Sequence, residues 1–287
     1  MTIPHETGPV PAVVLHLAGG SEVRAVWLNE RGGTTYRAGD VHIKFGPLNA
    51  EESMADEVER LTWAAPHIRV PEVVAHGVDD EFEWLVTRTI PGQSAVAPKW
   101  IARPATAARA IGVGLRALHD RLPVVGCPWR WDAEQRTADA ARRGIHLDPR
   151  FGDPPPVDGL VVCHGDACAP NTLLSDAGDP IAHVDLGRLG VGDRWADIAV
   201  AAMSTEWNFG PGWEGPFSMG TESNPTRPGW PTTATSGTRR ERLGNDESRS
   251  RGRRSLILDR RDELTARPVD LFTARIAEGR RDARVVQ

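Results

Sequence analysis

The chain has 287 residues, of which 40% are hydrophobic and 25% charged, enough apolar material for a sizeable core and too much for a disordered or collagen-like protein. No apolar run reaches the roughly 18 residues a membrane span requires, and the N-terminus lacks the basic-then-apolar pattern of a secretory leader. The net charge of −5 is unevenly placed, with −10 on residues 1–217 and +5 on residues 218–287.

In chain order, Pro11–Leu17 reads as a short apolar helix ended by Gly19 and Gly20. Glu22–Asn29 alternates and reads as a strand, followed by a glycine turn over residues 29–35 and a second strand, Asp40–Phe45, with Lys44 near its end. Glu51–Ala64 has Met54, Val58 and Leu61 at helical spacing and acids in its first turns, which suits a helix N-terminus. Val70–Val74 and Trp84–Thr89 read as strands, the second broken by Ile90, Pro91 and Gly92. Beyond residue 100 the pattern turns helical. Ala105–Leu122 carries Ile111, Leu115 and Leu118 on one face, and Ala196–Met203 reads as a buried helix. Between them, Pro154–Pro156 open a loop, and Leu160–Cys163 and Ile181–Val184 are short strands separated by a polar segment. After residue 217 the apolar periodicity collapses into Gly, Pro, Ser, Thr and Arg, with a helix fragment expected over 256–276.

The three cysteines, Cys127, Cys163 and Cys168, make no disulfide framework and suit a reducing cytoplasm. Only two lysines, Lys44 and Lys99, stand against 32 arginines. A lysine kept under such a bias draws attention to its position.

The strongest chemical signal is His164-Gly165-Asp166 with Asn171 five residues after the aspartate, directly behind an apolar strand. Asp185-Leu186-Gly187 stands at the end of the next predicted strand. Two carboxylates and an amide on neighbouring strand ends make a hard-oxygen site that suits Mg2+. Phosphoryl transfer uses such a set, one carboxylate orienting the attacking hydroxyl while the other groups hold metal on the phosphates. Lys44 on a strand and Glu57 on the following helix suit the ion pair that kinases place on the α- and β-phosphates.

The HGDxxxxN run, the DLGRLGVGDRWADIA run, residues 84–92 and Ala117-Leu118-His119-Asp120 together resemble the aminoglycoside phosphotransferase family, over roughly residues 15–217. The resemblance implies an α+β, two-lobed, protein-kinase-like fold, with a small antiparallel-sheet N-lobe and a mainly helical C-lobe. It implies a nucleotide-binding lobe with hinge over 1–92 and a catalytic and substrate-binding lobe over 93–217, with an irregular tail over 218–287. Carried over residue by residue, Asp166 is the catalytic base and Asn171 and Asp185 bind Mg2+. Lys44 and Glu57 orient the phosphates of ATP. The main chain of Thr87 and Thr89 faces the adenine. Arg188 and Glu206 adjoin the drug, and Asp197 braces the catalytic loop. The implied partner is a cationic aminoglycoside, attracted by the acidic body, with no nucleic acid or membrane partner expected. Asp148, Asp153 and Asp158 stand where the family presents acids to the drug. Choline-, homoserine- and macrolide-type kinases share the core motif, so a kinase for another small hydroxylated metabolite is an alternative. A second alternative is an inactive kinase-like relic with a scrambled C-terminus.

The tail suggests such scrambling. Taking the last base of each codon with the first two of the next, residues 218–238 permit the sequence LDGYGVEPDPARLAYYRDLWD, which resembles the family's C-terminal helices. A shifted reading frame from Ser218 accounts for the charge reversal, the lost periodicity and the single tyrosine of the whole chain.

Overall fold

The computed structural model describes residues 8–29, 32–48, 53–142 and 156–222. Its first lobe is an antiparallel sheet of β1 (Val23–Leu28), β2 (Thr34–Ala38), β3 (Val41–Pro47), β4 (Val73–Val78) and β5 (Phe82–Arg88), in the order β1-β2-β3-β5-β4. Helix α1 (Ala12–Leu17) packs Val14 against Tyr36, Ile43 and Val86 on one sheet face. Helix α2 (Met54–Ala64) starts at Ser53, whose side chain accepts the Asp56 N–H, and it carries Asp56 and Glu57 in its first turn. Both features suit the positive end of a helix.

The second lobe holds α3 (Pro98–Ile101), α4 (Pro104–Arg121), α5 (Ala133–Arg142), α6 (Trp195–Phe209) and α7 (Glu214–Thr221). Two small antiparallel sheets complete it. β6 (Gln93–Ser94) pairs with β8 (Thr172–Leu174), which pairs with β9 (Pro180–His183), and β7 (Leu160–Cys163) pairs with β10 (Gly190–Asp193). Its core is built by α3, α4, α6 and α7 around Trp100, Ile111, Leu115, Ile198 and Phe217. A separate cluster joins the lobes, with Leu61 of α2 and Leu85 of β5 meeting Leu118 of α4, Val162 of β7, Leu186 and Leu189. No helix among the described residues is long and apolar enough to cross a membrane.

Several elements differ from the sequence expectation. β2 occupies part of the expected glycine turn. β4 begins at Val73, not Val70, because Pro71 offers no N–H to a ladder. α5 and the short strands β8 and β10 are too polar or too brief to show a period. The irregular tail expected from Ser218 is corrected at its start, since α7 continues to Thr221. Its sequence, with a proline and two glycines, opposes helix formation. Packing on α4 outweighs that. A Cβ at Gly112 would lie 2.4 Å from the Phe217 carbonyl oxygen, and one at Gly220 would lie 2.4 Å from that of Arg109. Only glycine at both positions lets the two backbones approach this closely. The rest of the expected tail, with the helix fragment over 256–276, lies outside the described residues.

Candidate active site

A cleft of about 560 Å³ separates the lobes. Lys44, Glu57, Asp166, Asn171, Asp185 and Arg188 all line it, although they come from four separate stretches of chain.

Lys44 points out of β3, with its backbone paired to Thr35 and Leu85 on the flanking strands. Its Nζ lies 2.7 Å from both carboxylate oxygens of Glu57 and 3.0 Å from Oδ1 of Asp185. Burial alone would lower the pKa of this ammonium. The carboxylates of Asp185 and Glu57 outweigh burial and hold it above its ordinary value. The expected Lys44–Glu57 pair therefore forms, and Asp185 joins it from 141 residues away.

The loop carrying Asp166 is fixed from below. Asp197, buried in the first turn of α6, accepts the N–H of His164 at 2.6 Å and of Gly165 at 3.0 Å. Gly165 sits at φ 85°, and a Cβ there would lie 2.2 Å from the carbonyl oxygen of Arg188. The HGD and DLGR segments thus touch through their main chains, and glycine is required at the contact. Asn171 Nδ2 donates to the Asp166 carbonyl at 3.0 Å, which leaves the amide oxygen as the atom for a cation. Ser204 Oγ of α6 accepts the Ala169 N–H at 2.9 Å. Burial, together with neighbouring Asp166, keeps the Cys168 thiol protonated. Asp185 adopts a positive φ of 64°, a strained conformation for a residue other than glycine, at the point where its carboxylate enters the cleft.

Asp185 and the amide oxygen of Asn171 fit a Mg2+ ion. That metal needs one or two carboxylates from the protein and takes its other ligands from water and phosphate. Among the described residues no group of three or more His, Cys, Asp or Glu is placed to hold a metal ion by itself.

The structure corrects the hinge assignment. Thr87 and Thr89 line the cleft, but their main chains serve the sheet. Thr87 is paired with His42 on β3 and Val73 on β4, and the Thr89 N–H donates to the Asp40 carbonyl at 2.8 Å. The Thr89 hydroxyl lies 3.0 Å from His42 Nδ1, so its side chain is engaged as well. Ile90, the next residue and also in the lining, lies two residues beyond the last β3–β5 pair, Val41–Arg88. Arg188 lines the cleft with its guanidinium 5.6 Å from the ring centre of Trp131. Glu206 does not join these residues. It is half-buried on α6, two residues beyond Ser204, which meets the loop, and it is not part of the cleft lining. Asp158 is taken up by Arg194 and by Trp195 Nε1, the latter at 2.9 Å, while Asp148 and Asp153 lie outside the described residues. The sequence reading also missed Ser204 and Trp131, since neither belongs to a chemical motif and only tertiary contact gives them a role.

This fold and site define a phosphotransferase of the two-lobed, kinase-like class. The chain belongs to the phosphotransferase enzyme family, whose model matches residues 13–234. It is 38% identical over 204 residues to an aminoglycoside 3'-phosphotransferase of Streptomyces fradiae, covering 62% of this chain and 75% of that one. It is 32% identical over 214 residues to a streptomycin 3''-kinase of Streptomyces griseus, covering 63% and 76%. The crystal structure of an aminoglycoside-3'-phosphotransferase of type VIII superposes with a TM-score of 0.60 at 28% identity, covering 74% of this chain and 92% of that one.

Proposed function

We propose that this protein transfers the γ-phosphate of ATP to a hydroxyl of an aminoglycoside antibiotic, and that the acceptor is the 3'-hydroxyl. The observation that carries the reading is the Lys44–Glu57–Asp185 ion cluster facing the Asp166–Asn171 loop across one cleft. The 3' position follows the greater identity to the Streptomyces fradiae enzyme.

On this reading Asp166 accepts the proton of the acceptor hydroxyl as its oxygen bonds to the γ-phosphorus and the bond to the ADP oxygen breaks. Lys44, steadied by Glu57, orients the α- and β-phosphates. Asn171 and Asp185 hold Mg2+, which supplies charge neutralisation on the phosphates when bound. Arg188 borders the acceptor side. The main chain at Ile90, free of the sheet ladder, faces the adenine in place of Thr87 and Thr89. The reaction draws on the ATP of the cytoplasm, where the three unpaired cysteines are also at home. The −10 charge of residues 1–217 favours a polycationic acceptor.

A nucleotide lobe spans 1–92, a catalytic lobe starts at 93, and the chain from Ser218, inside α7, is translated in a shifted frame. Phosphate transfer from radiolabelled ATP across a panel of aminoglycosides, choline and macrolides, with the product position mapped, tests the function. Label on a 3'-hydroxyl supports it. Transfer only to a non-aminoglycoside overturns the substrate class, and nucleotide binding with no transfer to any acceptor favours an inactive relic.

A further inference from the structure

On the kinase reading, transfer needs the Lys44–Glu57 pair and Asp185 in place together, and in protein kinases the position of the Glu-bearing helix is a point of control. Here Glu57 rides on α2. Asp185 opens a turn that closes where the Leu189 N–H donates to the Leu186 carbonyl at 2.9 Å. A polar side chain bridges both elements. Arg60 lies on α2, about one turn beyond Glu57. Its Nε donates to the Leu189 carbonyl at 3.1 Å, and its Nη1 donates to the Asp56 carbonyl at 3.1 Å and approaches Asp56 Oδ1 at 3.4 Å.

The face of the same guanidinium covers Trp129, with its carbon 4.9 Å from the ring centre. Trp129 is itself tied to the segment after the turn, since its carbonyl accepts the Val191 N–H at 2.8 Å. Trp63 of α2 meets Trp129 edge-on, with centroids 5.9 Å apart and planes at 87°. Gly187, inside the turn, is the point where α2 backs onto it, because a Cβ there would lie 3.8 Å from Glu57 Cβ.

We propose that Arg60 is a positioning residue, whose guanidinium, stacked on Trp129 and bonded to Leu189, locks α2 against the Asp185 turn. The lock holds the two elements in the arrangement in which Glu57, Lys44 and Asp185 meet. The site is then assembled without a modification or a regulatory partner to swing the helix into place. Arginine suits the task because one planar group donates along its edge while its face stacks on an aromatic ring. A lysine offers only a point charge and cannot do both. The inference rests on the kinase reading of the cleft.

The test is a double-mutant cycle on the full chain, read as the Kd for Mg2+·ATP. Arg60→Ala, Arg60→Lys and Trp129→Leu are made in the wild-type and in the Lys44→Ala backgrounds, with circular dichroism and thermal midpoints as checks on folding. In the wild-type background Arg60→Ala and Arg60→Lys each weaken nucleotide binding about tenfold. In the Lys44→Ala background the same changes cost less than about twofold, because the pair they position is already gone. Trp129→Leu, which leaves every charge in place, follows the same pattern. Equal losses in both backgrounds overturn the positioning role and leave Arg60 as a general stabiliser. Full affinity in Arg60→Lys also overturns it. A wild-type protein that binds no Mg2+·ATP overturns the kinase reading itself, an outcome distinct from additive losses.

Discussion

His119 Nε2 lies 2.9 Å from Asp197 Oδ2, joining α4 to α6 beneath the loop that carries Asp166. The same carboxylate accepts the N–H groups of His164 and Gly165. Burial alone would raise its pKa. The His119 bond, the histidine charges and the His164 N–H outweigh burial and hold the carboxyl below its ordinary value. Asp197→Ala leaves two buried N–H groups without an acceptor, at about 1–3 kcal/mol each. Urea unfolding of this variant is expected to show a loss of about 2–6 kcal/mol, together with a collapse of turnover as the loop loses its brace. His119→Gln, which keeps a donor at a similar reach, is expected to lose less of both. Wild-type stability in Asp197→Ala would remove the brace from the account.

Asp166 and Asp185 separate by experiment. Asp166→Asn removes the proton acceptor but leaves the Lys44–Glu57–Asp185 cluster intact. It is expected to abolish phosphate transfer with little change in nucleotide affinity. Asp185→Ala removes both a Lys44 partner and a metal ligand, so it weakens Mg2+-dependent nucleotide binding. Isothermal titration of ATP with and without Mg2+ checks both. Turnover above a few per cent in Asp166→Asn would show that another group is the base.

The two lysines make an internal control. Lys44 sits inside the ion cluster, whereas Lys99 bonds Asp176 at 3.1 Å on the exposed surface. An exposed pair contributes about 0–1 kcal/mol. Lys44→Ala is expected to raise the nucleotide KM strongly and Lys99→Ala to leave it unchanged. Equal damage from both would mean that lysine loss acts through stability alone.

His183 predicts a pH effect on stability. Its ring is buried against His164, with centroids 5.6 Å apart, and burial pushes its pKa down to about 3. The unfolded chain takes up this proton near pH 6.5, before the folded protein does. Its stabilising contribution is therefore complete above about pH 6.5 and is lost as pH falls toward 3, at a slope approaching about 1.4 kcal/mol per unit. Urea unfolding at pH 7 and pH 5 is expected to show about 2 kcal/mol more loss in the wild type than in His183→Gln. Parallel pH curves would place the His183 proton elsewhere.

Legibility from sequence followed the local strength of each signal. Lys44, Glu57, Asp166, Asn171 and Asp185 were readable because each belongs to a short motif at a strand end or on a periodic helix, and all five line the cleft. The hinge was misread because sheet pairing decides which N–H is spent. That the Thr89 N–H bonds Asp40 follows from the β3–β5 register, which no local pattern states. Helix α7 was hidden because its glycines oppose a helix locally and serve close packing on α4. Arg60 carries no local signal, because the Leu189 carbonyl and Trp129 that give it a role come from distant parts of the chain.

The last turn of α7 offers a physical check on the shifted frame. In the observed sequence Ser218 is buried at 7% exposure, Met219 is 64% exposed, and Gly220 packs against Arg109. A polar hydroxyl faces the core and a large apolar side chain faces water, the reverse of what burial favours. The alternative frame permits Leu, Asp and Gly at these three positions. Leucine then fills the buried site, aspartate takes the exposed one, and the glycine demanded by the contact with α4 is kept. Two consecutive positions thus suit their surroundings better in the other frame and the third suits them equally, and the codons beyond them permit an amphipathic run rich in Tyr, Trp and Leu. Burying a leucine side chain contributes about 1.5–3 kcal/mol, so even the first restored residue should register. Sequencing the gene across codon 217 and expressing the frame-restored protein is the measurement. The expected result is a higher thermal midpoint and higher aminoglycoside phosphorylation than the chain as it stands. Nucleotides that do not encode the Leu-Asp-Gly run, or a restored protein no more stable and no more active, would sink the idea.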